Sequence, residues 1–492
     1  MTLPELFQPS LADKRSTIGL EFGGVEYTFG ALDQAASRTA TWLGTQGLTM
    51  GDRIAVYLPN CVELIHLYLA SARLGLIFTP MNVLYREREI EHILTDAEPK
   101  LLLTTAALEP LSSEPAKTTG VRTVLVENLS TLPMDSNAAA AAQIDDDSIA
   151  ALVYTSGTTG RPKGAMLTHE NFSANARNIN QCWRMAAEDR LLLSLPLFHV
   201  HGLGNGLHTW LSLGYRTRLL ERFRKETILD EFLSFEPTVF FGVPTMYERL
   251  LDTPPEVARK IGGFIRLFVS GSAPLPAATL ERFRDLFGHV ILERYGMSET
   301  LMNLSNPYDA ERRPGSVGFP MPNVSIRLVN ADTGAEVEQG KTGEVLLKGP
   351  NVFRGYWRRE EASAEAFTDD GFFYSGDLAT CSADGYYTLQ GRSKELIISS
   401  GFNIYPREIE EFLTEQSGVA EAAIVGEADP LKGEVPIGYV VMDQGCALDS
   451  EALQAACRSA LASFKVPRRF CEVDTLPRNA LGKVQKHLLS EA

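Results

Sequence analysis

The 492-residue chain is short of several features that would place it in a definite class. Its six cysteines, at 61, 182, 381, 446, 457 and 471, form no C-x-x-C pair. That spacing indicates neither a zinc site nor a disulfide framework, and it fits reduced thiols in a cytosolic protein. The longest apolar stretch, Leu64–Leu84, is interrupted by His66, Arg73 and Pro80. It reads as an amphipathic helix followed by a strand, not as a membrane span. Met1 to Phe7 has no basic segment leading into an apolar block, so no signal peptide is expected. Positive charge is in deficit, with 46 Lys and Arg against 62 Asp and Glu and a net charge of −16. This argues against nucleic acid or an anionic membrane as the main partner. Small molecules in a cytoplasmic setting are the expected partners.

What is present is ordinary in bulk and specific in pattern. Hydrophobic residues make up 44% of the chain and charged residues 22%, as in a soluble globular protein. The length is too great for one core and suggests two or three domains. Strand-like and helix-like segments alternate: a strand from Arg53, a helix from about Val62 to Leu74, and a strand at Leu101–Thr104. A helix at Thr279–Gly288 carries Leu280, Phe283 and Phe287 on one face, with Gly288 as its stop, and Val290–Arg294 follows as a strand. Such alternation predicts an α/β fold with largely parallel sheets. Residues 136–148 read as a surface excursion. From about Val324 the pattern turns to short strands: Ser325–Val329, Gly343–Lys348 and Gly385–Leu389. Beyond Arg392 it becomes α+β, with a helix from Pro406, strands at Ala422–Val425 and Ile437–Val441, and a helix from Asp449 or Ser450. That last helix is expected to carry Leu453, Cys457, Leu461 and Phe464 on one stripe. The domains expected are a large N-terminal one over 1–391, a hinge at 392–395 and a small C-terminal one over 396–492.

The most specific stretch is Tyr154-Thr-Ser-Gly-Thr-Thr-Gly-Arg-Pro-Lys-Gly164. Glycines let successive backbone N–H groups turn toward one anion, hydroxyls add donors, and Lys163 adds charge. That chemistry suits a triphosphate. The loop lacks the Gly-Lys-Ser/Thr step of a Walker A loop. The apolar run Ile149–Val153 precedes it, and a helix capped by Thr168 is expected to follow.

This stretch resembles the phosphate-binding signature of the adenylate-forming superfamily, which includes acyl-CoA synthetases. Tyr295-Gly-Met-Ser-Glu-Thr300, Tyr374-Ser-Gly-Asp377, Gly391-Arg-Ser-Lys-Glu395 and Pro477-Arg-Asn-Ala-Leu-Gly-Lys483 are similar to later motifs of that superfamily, in its order. The resemblance spans nearly the whole chain. It implies the adenylate-forming fold: a large domain of layered α/β subdomains with a β-rich subdomain, and a small, mobile α+β C-terminal domain. It also implies carboxylate activation on ATP, with magnesium, followed by transfer to CoA. The implied nucleotide site takes in Thr155, Ser156, Gly157, Thr158, Thr159, Gly160 and Lys163. Ser272, Ala273, Pro274, Glu293, Arg294, Tyr295, Gly296, Met297, Ser298, Thr300, Asp377 and Arg392 complete it. Asp377 would accept the ribose hydroxyls, while Ala273 and Tyr295 would wall the adenine. Glu299, helped by Thr155, is the implied magnesium ligand. Lys483 would bridge substrate carboxylate and α-phosphate; in some relatives the equivalent lysine is acetylated.

Phe198-His-Val-His-Gly202 resembles an aromatic-histidine motif that places His199, and less firmly His201, at the acyl pocket. Ser400, Gly401 and Phe402 would meet CoA, with Gly401 letting a pantetheine arm pass near the backbone. Lys483 and Gly401 would serve different half-reactions, which implies rotation about the hinge residues Ser393 and Lys394. Leu292–Asp309, Arg312–Gly318 and Gly349–Trp357 are most similar to malonyl-CoA synthetases, with Leu304 a departure. A dicarboxylate needs a cation for its distal group. Arg266 is the expected partner, with Met297 closing a short pocket and Ser270 a further residue expected at the acyl substrate. A fatty or aryl acyl-CoA synthetase and an enzyme loading a carrier protein are the alternatives.

Overall fold

A computed structural model describes residues 1–131, 142–155, 162–331, 333–399, 402–429, 432–461, 463–479 and 482–489. The chain forms two compact units. The first comprises Met1–Pro314, Phe319–Ser325 and Leu347–Phe373, and the second Gly315–Gly318, Ile326–Leu346 and Tyr374–Ala492. The β-rich segment is thus grouped with the C-terminal residues, not divided from them at 392–395. Compactness is a matter of contacts and a hinge is a matter of motion, so the two divisions answer different questions.

Two sheets organise the first unit. One has nine strands in the order Phe319–Pro320, Leu301–Ser305, Leu292–Met297, Leu267–Ser270, Val239–Gly242, Arg190–Leu193, Arg216–Leu219, Ile18–Phe22, Val25–Thr28. The other has six, in the order Arg122–Leu125, Leu101–Thr104, Arg53–Tyr57, Ile77–Pro80, Ile149–Thr155, Lys163–Thr168. Their interiors pair in parallel; antiparallel pairs close both edges of the nine-stranded sheet and one edge of the six-stranded sheet, whose other edge strand, Arg122–Leu125, is parallel. Leu101–Thr104, Val239–Gly242 and Leu267–Ser270 are buried at every position, as strands covered on both faces are.

Helix Ala277–Phe287 shows how sequence becomes packing. Leu280, Phe283 and Phe287 recur at helical spacing and are all buried. Phe283 stacks on Phe287 with ring centroids 4.2 Å apart and meets Phe268 of the sheet edge-on at 4.9 Å. Each such side chain contributes about 1.5–3 kcal/mol by burial, and Phe283→Ala would cost roughly 3–5 kcal/mol. Gly288 ends the helix at φ +77°, as its position predicts.

Helix Val62–Leu74 and strands Leu101–Thr104, Ser325–Val329 and Gly343–Lys348 form where the sequence predicts them. Thr168 caps helix His169–Cys182, accepting from Asn171 N at 3.1 Å while Asn171 Oδ1 accepts from Thr168 N at 2.8 Å. Two expectations shift. The strand expected at Val290–Arg294 lies at Leu292–Met297 and turns back on itself through Leu301–Ser305. Leu301 adopts φ +54° at that turn, which periodicity could not foretell. The last helix, Ser450–Ala460, is capped by Asp449 and buries Leu453 and Cys457, but it stops before Leu461.

In the second unit, Phe373–Cys381 and Tyr387–Arg392 are adjacent in a four-stranded sheet. A five-stranded sheet holds Phe402–Ile404, Ile397–Ser399, Gly433–Met442, Val419–Asp429 and Phe470–Glu472. Its core gathers Ile397, Ile404, Ile409, Leu413, Ile424 and Val440. Among the described residues, no helix is long and apolar enough to cross a membrane.

Candidate active site

The phosphate-loop stretch is carried on a hairpin. Strands Ile149–Thr155 and Lys163–Thr168 pair antiparallel, with Thr155 opposite Lys163. Ser156, Gly157, Thr158, Thr159 and Gly160 lie outside the described residues. Helix Glu87–Ala97 braces both stems. Tyr154 Oη donates to Asp96 Oδ2 at 2.8 Å, and His92 Nε2 lies 2.8 Å from the carbonyl of Pro162. Thr155 Oγ1 donates to Glu299 Oε1 at 3.2 Å, so two motifs far apart in sequence meet here. Tyr356 Oη donates to the same oxygen at 3.3 Å, and Lys163 Nζ lies 5.1 Å from the Tyr356 ring centre. Tyr356 lies in the Gly349–Trp357 segment noted above for its resemblance, but nothing in local sequence patterning assigns this side chain to the site.

Glu299 and Thr155 present hard oxygen donors, the kind magnesium takes beside substrate phosphates. Among the described residues no cluster of three metal-ligating side chains exists. The donor set therefore fits a cation that takes most of its ligands from phosphate and water. Thr300 is fully buried, and its Oγ1 accepts from Asn303 Nδ2 at 2.6 Å.

A second cluster lies at the carboxyl ends of the parallel strands, where open α/β sheets bind ligands. Strand Leu267–Ser270 runs parallel to Leu292–Met297, with Ser270 beside Glu293. Glu293 Oε1 accepts from Leu275 N at 3.1 Å and so ties down the segment Ser272, Ala273, Pro274. Arg294 follows directly. It is 5% exposed, and its Nε and Nη2 meet no acceptor among the described residues. Burial pulls its pKa down to about 9, which still leaves it charged at neutral pH. Gly271 makes room for it: a Cβ there would stand 2.4 Å from Arg294 Nε.

His199 and His201 belong to this cluster. His201 Nδ1 is 3.2 Å from Ser272 Oγ, and His201 N donates to His199 Nδ1 at 3.1 Å. Burial, and then the charge of Arg294, push the His199 pKa down to about 4 and that of His201 well below its usual value. Both rings are therefore neutral at physiological pH. Ser270 Oγ and His201 Nε2 are buried and, like the Arg294 nitrogens, have no partner among the described residues. Buried polar atoms without partners are costly unless a ligand satisfies them. Tyr295 is buried at the edge of the cluster; Gly296 and Met297 pair with Met302 and Leu301, and Ser298 lies in the connecting turn.

Arg266 does not join them. It stands just before strand Leu267–Ser270, at the amino end of the sheet, about 13 Å of strand away from Ser270. Its Nε and Nη2 donate to Asp189 Oδ1 and Oδ2 at 2.8 and 2.6 Å, in a fork that matches a carboxylate. Its remaining donors reach the carbonyls of Trp183 and Arg184. Burial alone would raise the Asp189 pKa, but Arg266, the Thr238 hydroxyl and the Ala186 N–H hold it below the usual range. The acyl-pocket role expected of Arg266 is corrected accordingly: its charge is already spent on Asp189.

The second unit brings Asp377, Arg392 and Lys483 together. Asp377 and Arg392 face each other across paired strands, with Arg392 Nε 2.9 Å from Asp377 Oδ1. Asn479 Oδ1 accepts from Lys483 N at 3.0 Å, and Asn479 N donates to the carbonyl of Lys483 at 2.9 Å. Burial, and then Arg392, lower the Lys483 pKa, while Asp377 and Glu395 oppose this. Ser393 lies in a short turn, Ser393–Glu395, which also holds the backbone of Lys394. Ser400 and Gly401 lie outside the described residues, and Phe402 begins strand Phe402–Ile404.

Comparison with known proteins identifies the chain's relatives. A model of the AMP-binding enzyme family matches residues 8–357, and one of the AMP-binding enzyme C-terminal domain matches 408–483. The long-chain-fatty-acid–CoA ligase of Bacillus subtilis is 32% identical, over 100% of this chain and 94% of its own. The sulfoacetate–CoA ligase of Cupriavidus necator is 36% identical, over 94% and 92%. The malonate–CoA ligase of Arabidopsis thaliana is 31% identical, over 100% and 89%. The crystal structure of ATP-bound MatB from Rhodopseudomonas palustris superposes with a TM-score of 0.93 at 38% identity, covering 100% of this chain and 99% of that one.

Proposed function

The chain belongs to the AMP-binding enzyme family and is an acid–thiol ligase; on that premise we propose that its acid is malonate, activated on ATP and passed to CoA. The observation that carries the reading is Arg294, a buried guanidinium with two nitrogens, Nε and Nη2, unclaimed among the described residues. A distal carboxylate placed there would gain charge-assisted hydrogen bonds and would relieve a buried charge. A fatty or aryl acid would leave that charge uncompensated. Relatives named for malonate and for sulfoacetate, both short acids with a second anionic group, accord with this.

In the proposed reaction a carboxylate oxygen of malonate attacks the α-phosphorus of ATP. The bond to the β-phosphate oxygen breaks and pyrophosphate leaves. The sulfur of CoA, having lost its proton, then attacks the acyl carbon, and AMP leaves. Two anions must meet in the first step, so positioning and charge stabilisation do most of the work. Lys163 would hold the phosphates, Asp377 the ribose, and Lys483 would join the reacting carboxylate to the α-phosphate. Magnesium, when bound through Glu299 and Thr155, would offset phosphate charge. The neutral His199 and His201 would orient the acyl group without adding charge. Rotation about 392–395 would then exchange Lys483 for the Ser400–Phe402 segment.

The test is AMP release with CoA as acceptor across acetate, propionate, malonate, sulfoacetate, succinate and octanoate. Malonate is expected to have the highest kcat/KM. Preference for octanoate would support the fatty-acid alternative, and AMP release only with a carrier protein would support the other.

A further inference from the structure

We infer that Tyr356 is a positioning residue of the adenylation site, one side chain that sets both Glu299 and Lys163. The inference rests on the reading above of Glu299 as a cation ligand and Lys163 as a phosphate contact.

The segment around Tyr356 is built to hold it between the two motifs. Phe353 N donates to the carbonyl of Glu299 at 2.8 Å, and Asn351 Nδ2 donates to that of Thr300 at 2.6 Å. Arg354 N and Met166 N donate to the carbonyls of Met166 and Gly355, and Trp357 N donates to that of Gly164. Residues 351–357 thus act as a strap, hydrogen-bonded at one end to Glu299–Thr300 and at the other to the strand that begins at Lys163. Ala165 and Tyr356 form an antiparallel bridge.

From that position the side chain divides its work. The phenol donates to Glu299 Oε1, the oxygen that also accepts from Thr155. Two hydroxyl donors on one oxygen fix the carboxylate plane. The ring lies under Lys163 Nζ at 5.1 Å, within cation–π range. The ring face attracts the ammonium without occupying any of its three N–H donors, which stay available for phosphate oxygens. Hydroxyl and ring therefore serve different partners and can be separated by substitution.

Tyr356→Phe removes the hydroxyl and keeps the ring; Tyr356→Leu removes both. The measurement is equilibrium binding of α,β-methylene-ATP by calorimetry, with and without magnesium, so that no turnover is needed. Outer-shell hydrogen bonds to metal ligands are typically worth on the order of tenfold or more in metal affinity. Tyr356→Phe should weaken binding on the order of tenfold with magnesium and about twofold or less without it. Tyr356→Leu should weaken binding under both conditions. A wild-type protein that binds no analogue would overturn the parent reading and not this one. With wild-type binding intact, two results would sink the inference: Tyr356→Phe indistinguishable from wild type, or an equal loss with and without magnesium accompanied by a lower Tm.

Discussion

Arg266, just before strand Leu267–Ser270, and Arg294, just past the parallel pairing of Ser270 with Glu293 on the neighbouring strand, are treated in opposite ways. At the amino end, Arg266 has a carboxylate, two carbonyls and an aromatic ring, Tyr308, whose centre is 5.4 Å away. At the carboxyl end, Arg294 is more deeply buried, yet two of its nitrogens find no acceptor among the described residues. A fold seeking only stability would pair both or bury neither. The paired arginine reads as structure; the unpaired one reads as a place kept for an anion from outside.

The largest expected effect is at the unpaired end. Arg294→Met removes the cation while keeping much of the volume. The kcat/KM for malonate should fall roughly 30- to 5000-fold, the scale of losing a buried charge-assisted contact. Propionate should be used as well as before or better, and Tm should hold or rise. At the paired end, Arg266→Ala strands the buried Asp189 and should cost about 1–3 kcal/mol of stability. Thermal unfolding would report that loss, while the malonate-to-propionate ratio stays at the wild-type value. A changed ratio there would erase the distinction between the two ends.

A gentler probe is Gly271→Ala. The added Cβ would crowd Arg294 Nε, and displacing the guanidinium should lower kcat/KM for malonate about fivefold. Propionate should be nearly unaffected. The smallest effect concerns pH. His199 has a folded pKa of about 4, lowered first by burial and then by Arg294, against an ordinary value near 6.5. The unfolded chain therefore takes up its proton first. The contribution is complete above about pH 6.5 and is lost as pH falls from there toward 4. Without the Arg294 charge the His199 pKa moves back up, so Tm should decline less steeply over that window in Arg294→Met. Identical slopes would mean that the two groups do not sense each other.

Much of the architecture was legible because it depends on local chemistry. Gly288 could be read as a helix stop and Thr168 as a cap, since each acts within a few residues of itself. Strands such as Leu101–Thr104 could be read because full burial leaves an unbroken apolar run. The site motifs could be read by resemblance. What could not be read depends on distant partners. Arg266 and Arg294 differ because one faces Asp189, 77 residues away, and the other faces none among the described residues. No local feature reveals at which end of its strand an arginine will stand. Tyr356 was missed for the same reason, since its partners Glu299 and Lys163 lie far off in sequence. The turn of Leu292–Met297 back into Leu301–Ser305 depends on pairing and a left-handed Leu301, which side-chain periodicity does not encode.

The central claim is that a cation left unpaired at the carboxyl ends of the strands selects a second negative charge. Malonate and malonamate differ by one charge and almost nothing in shape. Their kcat/KM values on the wild-type protein, read as AMP release with ATP and CoA, isolate that charge. The account predicts malonate ahead by roughly 30-fold or more. Equal values, or malonamate ahead, would contradict it.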